Sequence, residues 1–543
     1  MPLMTTPPPI NIAQRFHQTA LRHPQRPALC IGDTRHRYAE LLERVLQLAS
    51  AIERFNPDPT HPTVALFGYR SLTAYASILA ILYAGKGYVP LNPHFPVSRN
   101  RHITDLSGVK LLILDDRCAE SAQALLETSA NALTILLPEH PTLPEWTHAL
   151  SRHRFVTSSE LCAVAPHVTA PQPDGGSIAY LLFTSGSTGI PKGVVVSPAN
   201  VEAFVAGMLE RYQPGPEDRF SQHSDLTFDA SVHDQFVCWA AGACLYPVPE
   251  ASRMAPARFI QEHALTFWES VPAVITFMQR MRLLRAGAFP SLRWCVFGGE
   301  RLTLEAARLW QNAAPNAVID NSYGPTEGTI CVTGYLWNAD RSPQECLNGI
   351  VPIGVPYPGQ SAAMLVDGDL VPETEGIQGE LCLSGSQVTP GYWHHPAETQ
   401  RSYFLHTDAT GTSRRWYKTG DLVRWQNGVG YHYLDRVDRQ LKIRGYRVEL
   451  SEIEHTLRQA AQSDQVAVVG WPTSGENVTC VVGFVCDSKR TDAEILETCA
   501  QRLPHYMVPR HLQRLSLLPL NANGKTDLLK LAELVHPPTA AGH

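Results

Sequence analysis

Residues 178–194 read IAYLLFTSGSTGIPKGV. An apolar run, strand-like in its β-branched and aromatic content, passes into Thr184-Ser185-Gly186-Ser187-Thr188-Gly189, and Lys192 follows three residues later. Glycines let a backbone turn its N–H groups toward an anion, the four hydroxyls add donors, and the lysine adds charge. That combination suits a phosphate group. The loop is not of the G-x-x-x-x-G-K-[ST] type, which occurs nowhere in the chain. A plain Ser/Gly surface turn is the competing reading, and the strand leading into the loop favours the nucleotide one.

Outward from this loop, short apolar runs alternate with amphipathic stretches. Strands are expected at 109–114 (VKLLIL), 178–183, 194–196 and 293–297, and helices at 39–54 and 257–265. The alternation predicts an α/β fold with parallel sheets. The most apolar stretch, 72–84 (LTAYASILAILYA), is too short to cross a bilayer and predicts a buried helix ended by Gly85. The 136–176 stretch is Pro-rich and reads as irregular surface connection. Around 356–435 short strand-like pieces punctuated by Gly, Asp and Pro predict a β-rich subdomain. Beyond it a smaller α/β piece is expected, with helices at 452–462 and 491–502 and strands at 465–470 and 479–485, then a frayed tail at 538–543.

Composition narrows the function. The 543 residues are 44% hydrophobic and 18% charged, which supports large buried cores. The net charge of −6 lacks the basic excess of a nucleic-acid or polybasic membrane binder. Twelve scattered cysteines without a C-x-x-C pair argue against a zinc ribbon or a disulfide-stapled fold and fit a reducing cytoplasm. The N-terminus has no charged region followed by an apolar core, so no secretory signal is expected.

Eight further segments stand in order with the glycine loop: 82–91 (LYAGKGYVPL), 228–232 (FDASV), 321–327 (NSYGPTE), 379–392 (GELCLSGSQVTPGY), 417–422 (YKTGDL), 436–449 (RVDRQLKIRGYRVE), 505–509 (HYMVP) and 523–527 (NGKTD). Together they resemble the motif series of the ANL superfamily: acyl-CoA synthetases, luciferases and the adenylation domains of nonribosomal peptide synthetases. The resemblance spans about residues 10 to 535. It implies an N-terminal core over 1–435 and a mobile C-terminal domain over 436–537 that rotates at Asp438. Two positions depart from the family pattern: Asp435 where Gly is usual, and Asn92 where Asp is usual.

The same resemblance implies chemistry for named residues. A carboxylate and ATP would form an acyl-adenylate and pyrophosphate, and charge must be neutralised where it builds up on the α-phosphate. Lys525, with Thr184 and Thr326, would serve that step, and Glu327 would be the Mg²⁺ ligand. The nucleotide would be held by the loop residues Thr184 to Gly189 with Lys192, by Gly299, Glu300, Asn321, Tyr323, Gly324 and Thr326, and by Asp421, Arg436 and Lys525. Asp421 offers two acceptors suited to a ribose diol. Without the family context Lys525 would read as a solvated turn lysine, and most of the others as turn residues.

Asp229 of FDASV separates amino acids from fatty or aryl acids, because an unpaired carboxylate in an apolar pocket is costly unless a substrate ammonium meets it. A helix-cap role is the alternative. The remaining pocket positions implied by motif alignment are Ala230, His233, Glu269, Val296, Gly298, Ser322, Ile330 and Cys331. Glu269 lies in an apolar stretch, ALTFWESVPAVITF, where a charge needs a partner. With Gly298 and Ser322 it resembles pockets for ornithine or diaminobutyrate, although His233 could be that partner instead, leaving a neutral polar or small amino acid. The chain carries neither an H-H-x-x-x-D-G condensation motif nor a carrier-protein serine motif. The expectation is a free-standing adenylating ligase that hands its aminoacyl group to the phosphopantetheine arm of a separate peptidyl carrier protein. An acyl-CoA-type ligase and a non-catalytic scaffold are the competing readings.

Overall fold

The computed structural model describes residues 12–166, 177–185, 191–408, 410–437, 440–472, 477–519 and 526–535. The chain divides into two compact units, one formed by 1–93, 104–182 and 193–435, the other by 94–103, 183–192 and 436–543.

In the first unit the expected alternation produces α/β sheets. Among the described residues one sheet has nine strands, in the order Val355–Pro356, Thr333–Leu336, Val318–Tyr323, Trp294–Phe297, Phe267–Ser270, Arg219–Gln222, Cys244–Pro247, Pro27–Ile31 and Thr34–Arg37. Its central strands run parallel, with Glu269 beside Val296 and Val296 beside Asp320. A second sheet, of eight strands, sets Tyr180–Thr184 between Gly87–Leu91 and Lys192–Val196. Burial on both faces explains why these strands read as continuous apolar runs.

The apolar stretch forms the helix Leu72–Tyr83, in which every residue from Thr73 to Tyr83 is buried. Ser71 caps its start by accepting from the Ala74 N–H at 2.9 Å, and Gly85 follows its end at φ +70°. A helix apolar all round belongs inside a core, and no described helix is long and apolar enough to cross a membrane.

One local expectation fails. Within the Pro-rich 136–176 stretch, Arg154–Thr157 forms an edge strand, parallel to Thr134–Leu137, with Val156 fully buried. The RFVT run pairs well, and the neighbouring prolines (138, 141, 144) only fix the connection around it. The β-rich subdomain is present as a sheet of its own, in which Gln378–Gly385 pairs with both Gln360–Val366 and Ser413–Gln426. The second unit contains the expected helices Leu450–Ala461 and Asp492–Ala500 and the antiparallel strands Val466–Trp471 and Cys480–Val485, around a core that includes Ile453, Leu457, Val468 and Val481. All twelve cysteines are free thiols.

The helix Pro198–Tyr212 follows the strand Lys192–Val196 directly. Ser197 and Asn200 form a capping box at its start. Asn200 also donates to the carbonyls of Ser386 and Val388, at 2.8 and 3.3 Å. At its other end Arg211 donates to both carboxylate oxygens of the fully buried Asp320, at 2.6 and 2.9 Å, and the Tyr212 hydroxyl donates to Asp320 at 3.0 Å.

Candidate functional site

Three parallel strands end together and deliver Glu269, Val296 and Ser322, followed by Gly298-Gly299 and Tyr323-Gly324. Ligands of open α/β sheets bind beyond such carboxyl ends. The helix Ala230–Ala240 brings Asp229, Ala230 and His233 to the same place, Asp229 and His233 lying one turn apart on one face.

Asp229 stands at the helix-cap position, yet its side chain makes no cap bond. Its Oδ2 is buried without a hydrogen-bond partner among the described residues. Burial pushes its carboxyl up to about 6; the Thr326 hydroxyl opposes the shift, while Glu269 and Glu327 add to it. A cap would have been satisfied by backbone N–H groups, so the capping alternative fails. The geometry also joins the FDASV and GPTE segments at one carboxylate.

Glu269 is already paired. His233 Nδ1 lies 3.1 Å from its Oε2 and 3.5 Å from Asp234 Oδ1. The ring is seated edge-on to Phe204 and Tyr212. Burial pulls the imidazolium down, but Glu269 and Asp234 outweigh it and hold the pKa at about 10. Burial and the neighbouring Glu269 push the Asp234 carboxyl well up. The cluster therefore meets the His233 imidazolium with acidic side chains from within the protein.

On the other wall Gly298 lies so close to Ser322 that a Cβ would stand 3.0 Å from the Ser322 carbonyl oxygen and 4.0 Å from Cys331 Sγ. A Cβ on Gly324 would stand 2.6 Å from the Cys331 Cα and from the Ile330 carbonyl oxygen. Only glycine admits such close backbone approach. Thr329 and Ile330 both adopt left-handed backbone, at φ 59° and 74°. For β-branched residues this costs roughly 1–2 kcal/mol each. The Ser322 hydroxyl accepts from Tyr357 at 2.9 Å, and the Arg211 guanidinium lies over the Tyr357 ring.

The nucleotide-side residues divide. The Tyr323 hydroxyl donates to the Asp421 carboxylate, and both residues are buried. Glu327 is fully buried and accepts from the Tyr392 hydroxyl at 2.7 Å. Asn321 spends its amide on the carbonyls of Val351 and Pro352, at 3.3 and 2.8 Å, and Glu300 accepts from the Ala273 N–H at 3.0 Å. These two side chains brace the backbone. Thr184 ends its strand and Lys192 begins the next, both half-buried. Ser185 donates to the Arg447 carbonyl and accepts from the Glu449 N–H. Arg436 ends the strand Gly430–Arg436. Gly186, Ser187, Thr188, Gly189, Asp438 and Lys525 lie outside the described residues.

Sequence reasoning missed Tyr392, Gln387 and the Arg211–Asp320 pair. The first two lie inside GELCLSGSQVTPGY, where a polar side chain in a β-rich run was the available signal. Arg211 and Asp320 are 109 residues apart, and nothing local links them.

Comparison with known proteins agrees with this arrangement. The family model described as "AMP-binding enzyme" matches residues 16–393, and "AMP-binding enzyme C-terminal domain" matches 452–525. The crystal structure of the Vibrio cholerae adenylation domain AlmE in complex with glycyl-adenosine-5'-phosphate is 31% identical, with a TM-score of 0.86 over 98% of both chains. An L-proline–[L-prolyl-carrier protein] ligase of Streptomyces coelicolor is 32% identical over 96% of each chain. Surfactin synthase subunit 2 of Bacillus subtilis is 31% identical over 98% of this chain, which spans 14% of that protein's length. With the family models covering most of the sequence and the site residues assembled at the strand ends, the chain belongs to the AMP-binding enzymes, the ANL superfamily of adenylating enzymes.

Proposed function

We propose that the protein activates an amino acid as its aminoacyl-adenylate and passes it to the phosphopantetheine thiol of a carrier protein. One observation carries the amino-acid reading: the buried, unpartnered oxygen of Asp229. A carboxylate whose pKa is raised by burial and by two neighbouring acids calls for a cation, and a substrate α-ammonium supplies one. A fatty or aryl acid offers none. The 32% identical prolyl-carrier-protein ligase supports transfer to a carrier rather than to coenzyme A.

In the first step a substrate carboxylate oxygen attacks the α-phosphorus of ATP, and the bond to pyrophosphate breaks. Thr326 and Thr184 contribute hydroxyl donors to phosphate oxygens, Tyr323 stacks on the adenine, and Asp421 accepts from the ribose hydroxyls. Lys525 neutralises charge between the two reacting anions. A hard cation takes carboxylate oxygen and keeps water and phosphate as its other ligands, so a single buried acid such as Glu327 fits Mg²⁺, which would neutralise phosphate charge when bound. In the second step a thiolate attacks the acyl carbonyl and AMP leaves, after the 436–537 domain rotates at Asp438 and withdraws Lys525.

The charge balance bears on the substrate side chain. Glu269 suggested ornithine or diaminobutyrate, but its charge is met by His233 within the protein. That pairing supports the alternative, a small neutral amino acid. The glycyl-adenylate in the 31% identical structure points the same way. ATP–pyrophosphate exchange with glycine, alanine, serine, ornithine, diaminobutyrate, leucine and phenylalanine tests both levels. Exchange with a small neutral residue is expected. Preference for a diamino acid would refute the side-chain assignment, and exchange with none of them, alongside activity on fatty or aryl acids, would refute the amino-acid reading.

A further inference from the structure

The strained wall of the pocket is held by a residue that lines no part of it. Gln387 is 1% exposed. Its Nε2 lies 2.7 Å from the Cys331 carbonyl oxygen, 3.2 Å from that of Thr329 and 3.3 Å from that of Gly328. The Thr329 hydroxyl donates back to the Gln387 carbonyl at 2.6 Å. One amide thus gathers the carbonyls on both sides of Ile330, through two consecutive β-branched residues in left-handed backbone, a conformation these residues rarely adopt. The opposite side is closed by Gly324, where no Cβ could be accommodated. Gln387 is itself fixed: its N–H donates to Gln360 Oε1 at 3.2 Å, and Asn200 holds the carbonyls of both neighbours, Ser386 and Val388.

We infer that Gln387 is a positioning residue for substrate selection, its amide setting where Ile330 and Cys331 stand in the amino-acid pocket. The inference rests on the amino-acid reading of that pocket. Without the amide, three buried carbonyls lose a donor and the 328–331 segment has no reason to keep its left-handed turn. The wall then relaxes, and the space offered to a side chain is no longer fixed. The side chains of the nucleotide residues Tyr323 and Asp421 bond to each other and not to Gln387.

The test measures ATP–pyrophosphate exchange in the full chain, Gln387→Asn and Gln387→Met, with the preferred amino acid and its homologue one methylene larger. Methionine keeps the length and volume of glutamine and removes the donors. It should raise the amino-acid KM on the order of tenfold, narrow the discrimination between the two substrates, and change the ATP KM less than the amino-acid KM. Asparagine, one methylene short, should fall between, and carries the test alone if the methionine variant does not fold. Wild-type discrimination in either variant, or a fall in kcat with both KM values unchanged, would overturn the role of Gln387. A wild-type chain that exchanges no amino acid would overturn the pocket assignment and this inference together.

Discussion

Replacing Asp229 by asparagine should make the empty protein more stable and the enzyme inactive. In the folded chain the Asp229 carboxyl sits near 6, against an ordinary 3.8. The difference, about 2 pK units at 1.36 kcal/mol each, puts the cost of the ionised group at about 3 kcal/mol. Because the folded state holds its proton more tightly than the unfolded one, that cost is fully present above pH 6, shrinks as pH falls through 6, and is gone below 3.8. Asp229→Asn removes it and gives Glu269 and Glu327 a neutral neighbour. Thermal melts at pH 8 should therefore show the variant higher by roughly 3 °C, with about half the advantage left at pH 5. Pyrophosphate exchange should fall on the order of a hundredfold or more, since the ammonium loses the carboxylate that faces it. A variant that melts lower at pH 8 would make Asp229 a structural residue, and an advantage that grew on acidification would mean the carboxylate is not strained at all.

Other outcomes follow from the same site. Amino-acid KM in the wild type should rise about tenfold per pH unit below 6, as Asp229 takes up its proton, while ATP KM changes less; a flat profile between pH 5 and 7 would contradict the assignment. His233→Ala leaves Glu269 buried without its cation, so exchange should shift toward ornithine or diaminobutyrate, and an unchanged substrate preference would argue that the pair lies outside the pocket. Lys525→Ala should lower adenylate formation by orders of magnitude and spare thiol transfer from a supplied adenylate, so equal loss of both steps would count against the role given to Lys525. Asn92→Asp should destabilise the protein by about 2 kcal/mol, because Asn92 Nδ2 donates to the buried Asp225 carboxylate at 2.9 Å and a second acid would face it there. A melting temperature equal to wild type would show that contact to be dispensable.

The α/β class, the buried helix at 72–83 and the second unit's elements were legible because they depend on local periodicity and punctuation. The glycine loop and the GPTE and TGD segments were legible because their chemistry is written in consecutive residues. What stayed hidden depends on partners far away in sequence. Glu269 announced a charge in an apolar run, and the sequence left two candidates to meet it, the substrate and His233, 36 residues earlier; only the folded distance chose between them. Asn92 looked like an idle departure until Asp225 appeared opposite it, 133 residues on. The edge strand Arg154–Thr157 was obscured by prolines that lie outside it.

The helix Pro198–Tyr212, about 22 Å long, is fastened at one end to the loop of Gln387 and at the other to Asp320, in the strand that also bears Ser322 and Tyr323. It works as a tie-bar joining both cheeks of the amino-acid cleft from behind. Exchanging the side chains that face the substrate leaves that brace intact. A scaffold built this way can change its diet by a few substitutions while its machinery for ATP stays in register.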